Sequence, residues 1–150
     1  MNLELEKLVK AAKLDGTDNE PLRLELGLLF VERIEQQLER DQALDALKKF
    51  KVLVRESYDP VKLKQLAQDS LLIANHHPGS TSIDGTQHSA VSATYALANA
   101  INGKVLEAAA YAAYSKIYGY GGYALNDPSS FEEEYKAQVA IFKRRIPTAI

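Results

Sequence analysis

Cysteine is absent from the 150-residue sequence. Disulfide bonds and thiolate metal sites are therefore excluded, and the absence is usual for proteins of the reducing cytosol. The first residues alternate acids with leucines and lack the apolar core of a signal peptide. No uncharged apolar run approaches the ~20 residues that are needed to span a bilayer. We expect a cytoplasmic protein without a membrane partner.

Positive charge is not in excess either. The chain has 18 Lys and Arg residues against 20 Asp and Glu residues, so its formal net charge is −2. Proteins that bind nucleic acid usually carry a basic patch that neutralises backbone phosphates. We therefore expect no nucleic-acid partner.

Charge of both signs is scarce in the middle of the chain. Segment 71–126 is rich in alanine instead, with ten alanines between positions 90 and 113, and it holds six of the eight tyrosines. This composition predicts a closely packed helical centre with tyrosine hydroxyls along its edge. The charged residues of the segment are Asp84, Lys104, Glu107 and Lys116.

Helix signals cover most of the sequence, whereas the period-two alternation of strands does not persist. Ala43, Leu47 and Phe50 recur at helical spacing. Asp59-Pro60 and Asp127-Pro128 each place a capping residue before a proline suited to a first helical turn. The sequence therefore predicts one all-α domain over residues 1–150, a multi-helix bundle. About seven helices are expected, near residues 3–14, 21–39, 42–56, 60–74, 86–102, 104–118 and 128–145.

Other residues predict where individual helices begin and end. Asp41 is expected to cap the third helix, and Asp84 with Gln87 resembles a capping box for the fifth. Asn102-Gly103 predicts a helix stop. These signals leave residues 75–85 as the longest loop of the chain.

The three histidines are the groups that titrate closest to neutrality. His76 and His77 lie in the loop and His88 lies one turn into the fifth helix, so with Asp84 they could supply three or four metal ligands. Their spacing matches neither HxxxH nor HExxH, however. We favour histidines that cap helix ends, and we expect neither a metal nor another cofactor.

Motifs of enzyme catalysis are missing as well. The serines near the histidines are not set in a Gly-x-Ser-x-Gly elbow, and loop 79–85 lacks the Gly-Lys-Ser/Thr ending of a phosphate-binding loop. The paired acids Glu132 and Glu134 stand at a helix start, where the helix dipole stabilises them. We therefore expect a protein that is not an enzyme.

Tyrosines are the side chains best suited to contact with a partner. Three of them share one face of the sixth helix, and segment 118–123 alternates tyrosine with glycine, a combination used by adaptable binding surfaces. A buried phenol needs a hydrogen-bond partner, which disfavours burial of the whole set. We predict Tyr120 and Tyr123 at the surface, and Tyr111 and Tyr114 largely buried by aromatic packing.

Most of the chain resembles a known family, and the second half carries the most specific part of the resemblance. An alanine-dense helix pair leads through a tyrosine-containing turn into Asp127-Pro128-Ser-Ser-Phe131-Glu-Glu-Glu134-Tyr-Lys-Ala-Gln138, which continues through Ile141-Phe142 to Arg145-Ile146-Pro147. This arrangement resembles the all-helical immunity proteins of bacterial polymorphic toxin systems, over residues 20–147 and most specifically over 85–147. The resemblance implies a cytoplasmic bacterial protein that binds and neutralises a cognate protein toxin.

A stoichiometric inhibitor needs a stable scaffold and a contact surface rather than reactive groups. We therefore expect the chain to bind its toxin without turnover. One alternative is a helical adaptor or regulatory protein-binding module unrelated to toxins. Another is a metal-dependent hydrolase of helical-bundle type, which the missing ligand spacing disfavours. The residues expected at the partner interface are Tyr118, Tyr120, Tyr123, His76, His77, Asp84, Glu132, Glu133 and Glu134.

Overall fold

The structure, a computed structural model, describes residues 2–77, 88–120, 124 and 126–147. Within these residues it contains seven α-helices and no strand, which confirms the all-α prediction. None of the described helices is both long and apolar enough to cross a membrane. Short 3-10 segments cover Glu35–Gln37 and Pro128–Phe131. The helices are α1 (Leu3–Ala11), α2 (Glu20–Glu32), α3 (Asp41–Arg55), α4 (Pro60–Asn75), α5 (His88–Ile101), α6 (Val105–Tyr118) and α7 (Glu132–Arg145).

Three helices differ in length from the predicted spans. α1 ends at Ala11, shortly before Lys13 adopts a left-handed backbone conformation with φ 60°. α2 ends at Glu32 rather than near residue 39, because the next N–H groups bond to carbonyls three residues back and tighten the chain. α7 begins at Glu132, and the predicted start at Asp127-Pro128 opens a 3-10 turn instead.

Two predicted caps are formed as expected. The Asp59 carboxylate accepts hydrogen bonds from the backbone N–H groups of Val61 (3.0 Å) and Lys62 (3.2 Å) at the start of α4. The Asp127 carboxylate accepts the N–H of Ser129 (3.0 Å) in the same way. In both places a proline follows in the first turn, where its missing N–H costs no helical hydrogen bond.

The other predicted helix ends have mixed outcomes. Gly103 has a φ of 75°, which glycine adopts at low cost, and it follows the end of α5 as predicted. Asp41 is the first helical residue of α3, and Arg40 precedes it without a side-chain capping bond. The prediction that Asp41 caps α3 is therefore wrong. The capping box predicted for Asp84 and Gln87 lies outside the described residues.

Helix α5 lies at the centre of the fold. It packs most extensively along α6, and it also contacts α2, α3 and α4. Its side chains are mostly small and buried, so its neighbours approach it closely. The prediction of a closely packed, alanine-rich helical centre is confirmed, because five of the alanines between positions 90 and 113 are each no more than 1% exposed: Ala93, Ala96, Ala100, Ala109 and Ala113.

Helix α2 crosses α5 closely at Gly27. A Cβ atom built on this glycine would lie 3.0 Å from Ala100 Cβ and 3.1 Å from Ala100 Cα. The second atom belongs to the backbone of a buried helix, so no side-chain rotation can relieve the contact. Gly27 is therefore required by close packing, which lets α2 rest directly on α5.

A second group of buried apolar residues joins α1, α2, α6 and α7. Beside it, the fully buried Gln138 of α7 donates its amide to the carbonyl of Ala109 on α6 (2.8 Å). The Asn2 amide donates to Gln138 Oε1 (3.2 Å), and Asn2 Oδ1 accepts the Leu5 N–H (3.3 Å) as the cap of α1. One series of hydrogen bonds therefore orients α1, α7 and α6 against one another.

A buried arginine joins two turns that are distant in sequence. The guanidinium of Arg23 on α2 donates to the carbonyls of Thr17 (2.8 Å) and Asp18 (2.8 Å), which precede α2. It also donates to the carbonyl of Gly103 (3.1 Å), just after α5, where the carbonyl end of the helix dipole favours a cation. Arg23 thus holds the turn from which α6 begins.

Replacing a buried alanine of the helix pair by leucine should destabilise the fold. Ala96→Leu is expected to lower the free energy of unfolding by about 1–3 kcal/mol, because the added carbons force neighbouring helices apart. Ala140→Leu on the exposed side of α7 is the control, with an expected change within about 0.5 kcal/mol. Urea unfolding followed by circular dichroism measures both, and equal losses would contradict the close packing of α5.

Candidate functional site

Three tyrosines of α6 define the candidate site. Tyr111 and Tyr114 are 37% and 45% exposed, so the prediction that they are largely buried is wrong. Tyr118, on the same side of the helix, is half-buried. The inward positions of α6 are occupied mainly by alanine, which leaves no space in the interior for phenol rings. The rings therefore stand on the outside of the helix pair.

Two rings of α5 pair with these tyrosines. His88 meets Tyr118 edge to face with ring centroids 5.2 Å apart, and Tyr95 stacks on Tyr111 at 5.3 Å. Within each pair, the two residues lie equally far from Gly103 in sequence, one before it and one after it. This is expected for two antiparallel helices that turn at this glycine. Aromatic pairs of this kind contribute ~0.5–1.5 kcal/mol beyond the area they bury. The pairing therefore holds the outer rings in fixed positions.

Aromatic side chains near the start of α7 extend the surface. Phe131 meets Tyr114 edge to face and also packs against Tyr135, in each case with centroids 5.6 Å apart. Burial raises the pKa of Tyr135, and the neighbouring Tyr114 phenol raises it further. We call the combined surface the tyrosine face, and it consists of His88, Tyr95, Tyr111, Tyr114, Tyr118, Phe131 and Tyr135.

A reciprocal pair of hydrogen bonds joins the two helices beneath the tyrosine face. The Ser115 hydroxyl donates to the Ser89 carbonyl (2.8 Å), and the Ser89 hydroxyl donates to the Ser115 carbonyl (2.7 Å). Both serines are buried, so sliding one helix along the other would leave polar atoms unsatisfied in the interior. The face is therefore a preformed surface, which loses little conformational freedom when it binds.

A small cleft at the edge of the tyrosine face contains Tyr120. This residue is 52% exposed, as predicted. It shares the cleft, of about 70 Å³, with Lys116, Ser130 and Glu133 among others. The cleft thus places an exposed phenol beside charges of both signs.

Glu134 lies beneath this cleft rather than at the surface. It is 2% exposed and accepts two hydrogen bonds from Arg33, from Nε at 2.8 Å and Nη2 at 2.7 Å. Donating hydrogen bonds to this carboxylate raises the pKa of Arg33. The expectation that Glu134 faces a partner is therefore wrong, because packing of α7 beside the end of α2 buries it. Glu132 and Glu133 are exposed and remain available for such a contact.

The two loop histidines have different environments. His76 is exposed at the end of α4, where its N–H donates to the Leu72 carbonyl (3.1 Å) and its ring Nδ1 lies 2.8 Å from the same oxygen. The prediction that histidines cap helix ends is confirmed for His76. His77 is 4% exposed, so the expectation that it contacts a partner is wrong. Burial lowers the pKa of His77, and the nearby charge of Arg40 lowers it further.

Two further residues expected at the interface, Asp84 and Tyr123, lie outside the described residues. Of the three histidines, His88 belongs to the tyrosine face, whereas His76 lines a groove between α3 and α4. Among the residues that the structure describes, no three His, Asp or Glu side chains are grouped so as to hold a metal ion.

Sequence reasoning did not include Tyr95, Phe131 and Tyr135 in the site. A signal for Tyr95 was present, because it lies as far before the Gly103 turn as Tyr111 lies after it. The positions of Phe131 and Tyr135 had no comparable signal, since they depend on where α7 crosses α6. Local periodicity does not determine that crossing.

Removing the buried carboxylate should weaken the fold more than removing its exposed neighbour. Glu134→Ala is expected to lower the free energy of unfolding by about 1–3 kcal/mol, because Arg33 loses two charge-assisted hydrogen bonds. Arg33 itself is 32% exposed, so water compensates for part of the loss. Glu133→Ala should change stability by no more than about 0.5 kcal/mol. Thermal unfolding compares the two, and equal melting temperatures would rule out a structural ion pair.

Mild acid should destabilise the protein partly through His77. Its pKa is lower in the folded than in the unfolded chain, so the unfolded state binds the proton more readily and stability falls as the pH drops below about 6.5. His77→Gln should remove this part of the loss between about pH 7 and pH 5. His76→Gln, at the exposed neighbouring position, should leave the pH-dependent loss of stability unchanged. Urea titrations at both pH values test this; the same pH dependence in wild type and His77→Gln would refute it.

Comparison with known proteins gives no match: no protein-family model, curated protein or solved structure corresponds to this chain. The interpretation of the tyrosine face therefore depends on the contacts, exposure and charge of its own residues. Those observations describe a preformed aromatic surface with few charges. Such a surface can bury ring area against a partner while its hydroxyls form hydrogen bonds.

Proposed function

We propose that this chain is an immunity protein that binds a cognate protein toxin, one molecule to one, through the tyrosine face. The observation that carries the proposal is the exposure of Tyr111 and Tyr114 on a helix pair whose interior is closely packed alanine, with the exposed Tyr120 in the cleft at the edge of the face. The function is inhibition by stoichiometric binding, without turnover.

Exposed tyrosines favour protein binding for a physical reason. Each ring buries a large area with only two side-chain torsions to restrict, and its hydroxyl can still form a hydrogen bond when desolvated. Tyrosine is accordingly frequent among the few residues that supply most of the binding energy at interfaces. On this chain the rings are already held by their neighbours, as in the Tyr95–Tyr111 stack, so the cost of ordering them on binding is small.

Charges around the tyrosine face indicate which toxin surface would fit. Glu107 stands one turn before Tyr111 on α6, while Glu132 and Glu133 follow Phe131. Opposite charges across an interface accelerate association and orient the partners. These three exposed acids favour a toxin whose contact surface is basic.

The resemblance of residues 85–147 to immunity proteins supports a toxin as the partner and the bacterial cytoplasm as the place of action. The alternative is a helical adaptor or regulatory module that uses the same face for another protein. Both hypotheses require binding through the tyrosines. Only the first requires that binding abolishes a toxic activity.

Tyr114→Ala combined with Tyr120→Ala should weaken toxin binding by at least ~10-fold, because truncated aromatic side chains at interfaces commonly cost more than 1 kcal/mol each. Tyr58→Ala is the matched control, since Tyr58 has the same 52% exposure as Tyr120 but lies between α3 and α4. Calorimetric titration measures the affinity, and a thermal melt confirms that both variants remain folded. Equal affinities for the double variant and the control would exclude the tyrosine face and its adjoining cleft as the binding surface.

Co-expression with the toxin encoded beside this gene tests the function itself. Wild-type protein should restore growth of cells that express the toxin, and the Tyr114→Ala, Tyr120→Ala variant should protect less. If the protein binds a neighbouring gene product through these tyrosines without protecting against any toxic activity, the adaptor hypothesis replaces immunity. If no neighbouring toxin exists, the immunity proposal fails.

A further inference from the structure

The turn between α5 and α6 contains a chemically reactive sequence, Asn102-Gly103. In a flexible chain, a backbone amide nitrogen can attack the side-chain carbonyl carbon of a preceding asparagine and expel ammonia. Glycine obstructs this attack least, because it has no side chain and lets the backbone adopt the conformation that ring closure requires. Asn102 is the only asparagine of the sequence that glycine follows. We therefore expect it to be the most reactive asparagine when the chain is unfolded.

Both reacting groups are held by hydrogen bonds in the folded protein. The Gly103 N–H, which would be the nucleophile, donates to the Ala100 carbonyl (3.0 Å). The Asn102 amide nitrogen, which would leave as ammonia, donates to the carbonyl of Ala98 on α5 (2.7 Å) and to that of Ala67 on α4 (3.3 Å). Ring closure requires the Gly103 nitrogen to lose its proton and approach the Asn102 side chain, and these bonds oppose both changes. The native turn therefore slows the reaction.

Arg23 holds the same turn from the other side. Its guanidinium donates to the Gly103 carbonyl (3.1 Å) and, at its other nitrogens, to the carbonyls of Thr17 and Asp18. A Cβ atom built on Gly103 would lie only 2.5 Å from Arg23 Nη1, so the guanidinium fills the space beside the glycine. The arginine is buried, and it cannot follow Gly103 outwards without leaving the other two carbonyls. Opening of the turn therefore requires release of this contact.

We propose that Asn102 is a site of spontaneous deamidation, and that local opening of the turn held by Arg23 sets the rate in the folded protein. The Gly103 nitrogen bonds to Asn102 Cγ while the Cγ–Nδ2 bond breaks, and the proton of the Gly103 N–H departs with the ammonia. Water then adds to one of the two carbonyl carbons of the resulting succinimide and breaks its bond to the ring nitrogen. Hydrolysis at Cγ yields aspartate, and hydrolysis at the backbone carbonyl of residue 102 yields isoaspartate.

Both products should loosen the turn. A carboxylate cannot donate to the carbonyls of Ala98 and Ala67, and it places negative charge beside their oxygens. Isoaspartate also adds one methylene to the main chain directly before Gly103, which displaces the carbonyl that Arg23 holds. The modification thus weakens the junction of the two central helices. It requires no partner, so it does not depend on the function proposed for the tyrosine face.

Peptide mapping by mass spectrometry measures the reaction at each asparagine. The full-length protein is incubated in mildly alkaline buffer, which favours loss of the amide proton, either folded or unfolded in guanidinium chloride. Asn102 should react fastest of the asparagines in the unfolded chain, and its rate should be at least ~10-fold lower in the folded protein. Asn126, which is exposed and is followed by aspartate, is the reference position and should differ less between the two conditions.

Variants of Arg23 test whether the opening is local. Arg23→Ala should accelerate the reaction at Asn102 in the folded protein by at least ~10-fold, and Arg23→Lys, which lacks the fork of donors, should accelerate it less. Glu134→Ala is the matched control, because it removes a buried hydrogen-bonded side chain on α7 and should have a much smaller effect. Circular dichroism in the same buffer establishes that each variant is folded. If Arg23→Ala does not fold, the comparison of Arg23→Lys with Glu134→Ala decides.

The effect of the product on the fold is measured with Asn102→Asp. This variant should melt at a lower temperature than Asn75→Asp, which places the same charge at the end of α4 but keeps an acceptor for the Tyr95 hydroxyl. Equal melting temperatures would contradict a loosened turn.

Three results would overturn the proposed site. The first is an equal rate at Asn102 in the folded and the unfolded protein, and the second is faster reaction of another asparagine in the unfolded chain. The third is an acceleration by Glu134→Ala as large as that by the Arg23 variants, because the reaction would then require unfolding of the whole domain rather than opening of the turn.

Discussion

Close contact between α5 and α6 is the constraint on which the rest of the structure depends. Buried alanines such as Ala96 and Ala109 let the two helices approach, and Gly27 lets α2 lie directly on the same centre. Each alanine contributes little apolar area by itself, but the packing leaves little room for a larger side chain. The positions of the other helices depend on their packing against this helix pair.

This constraint also explains why the tyrosines are exposed. Since α5 and α6 meet through small side chains, rings on α6 can be accommodated only on the outer side. Tyr111 and Tyr114 stand there, supported by Tyr95 and Phe131. The packing that stabilises the fold therefore also produces the surface that we propose as the toxin-binding site. Stability and the proposed function depend on the same helix pair.

Buried polar groups set the orientation of the outer elements. Arg23 joins the turn at Gly103 to the segment before α2, and the Arg33–Glu134 pair joins the end of α2 to α7. Gln138 connects α7 to both α6 and the start of α1. Such groups add little net stability compared with apolar packing, but leaving one partner unsatisfied is costly, so they favour a single arrangement. They therefore fix where α7 brings Phe131 to the tyrosine face.

The sequence by itself determined the helices and several of their ends. Asp59, Asp127 and Gly103 act on backbone groups within a few residues, so their effects could be predicted without the fold. Tertiary structure alone decided the burial of Glu134 and His77 and the exposure of Tyr114. The physical reason is that burial depends on which helix lies across a residue, and that contact joins positions far apart in the chain.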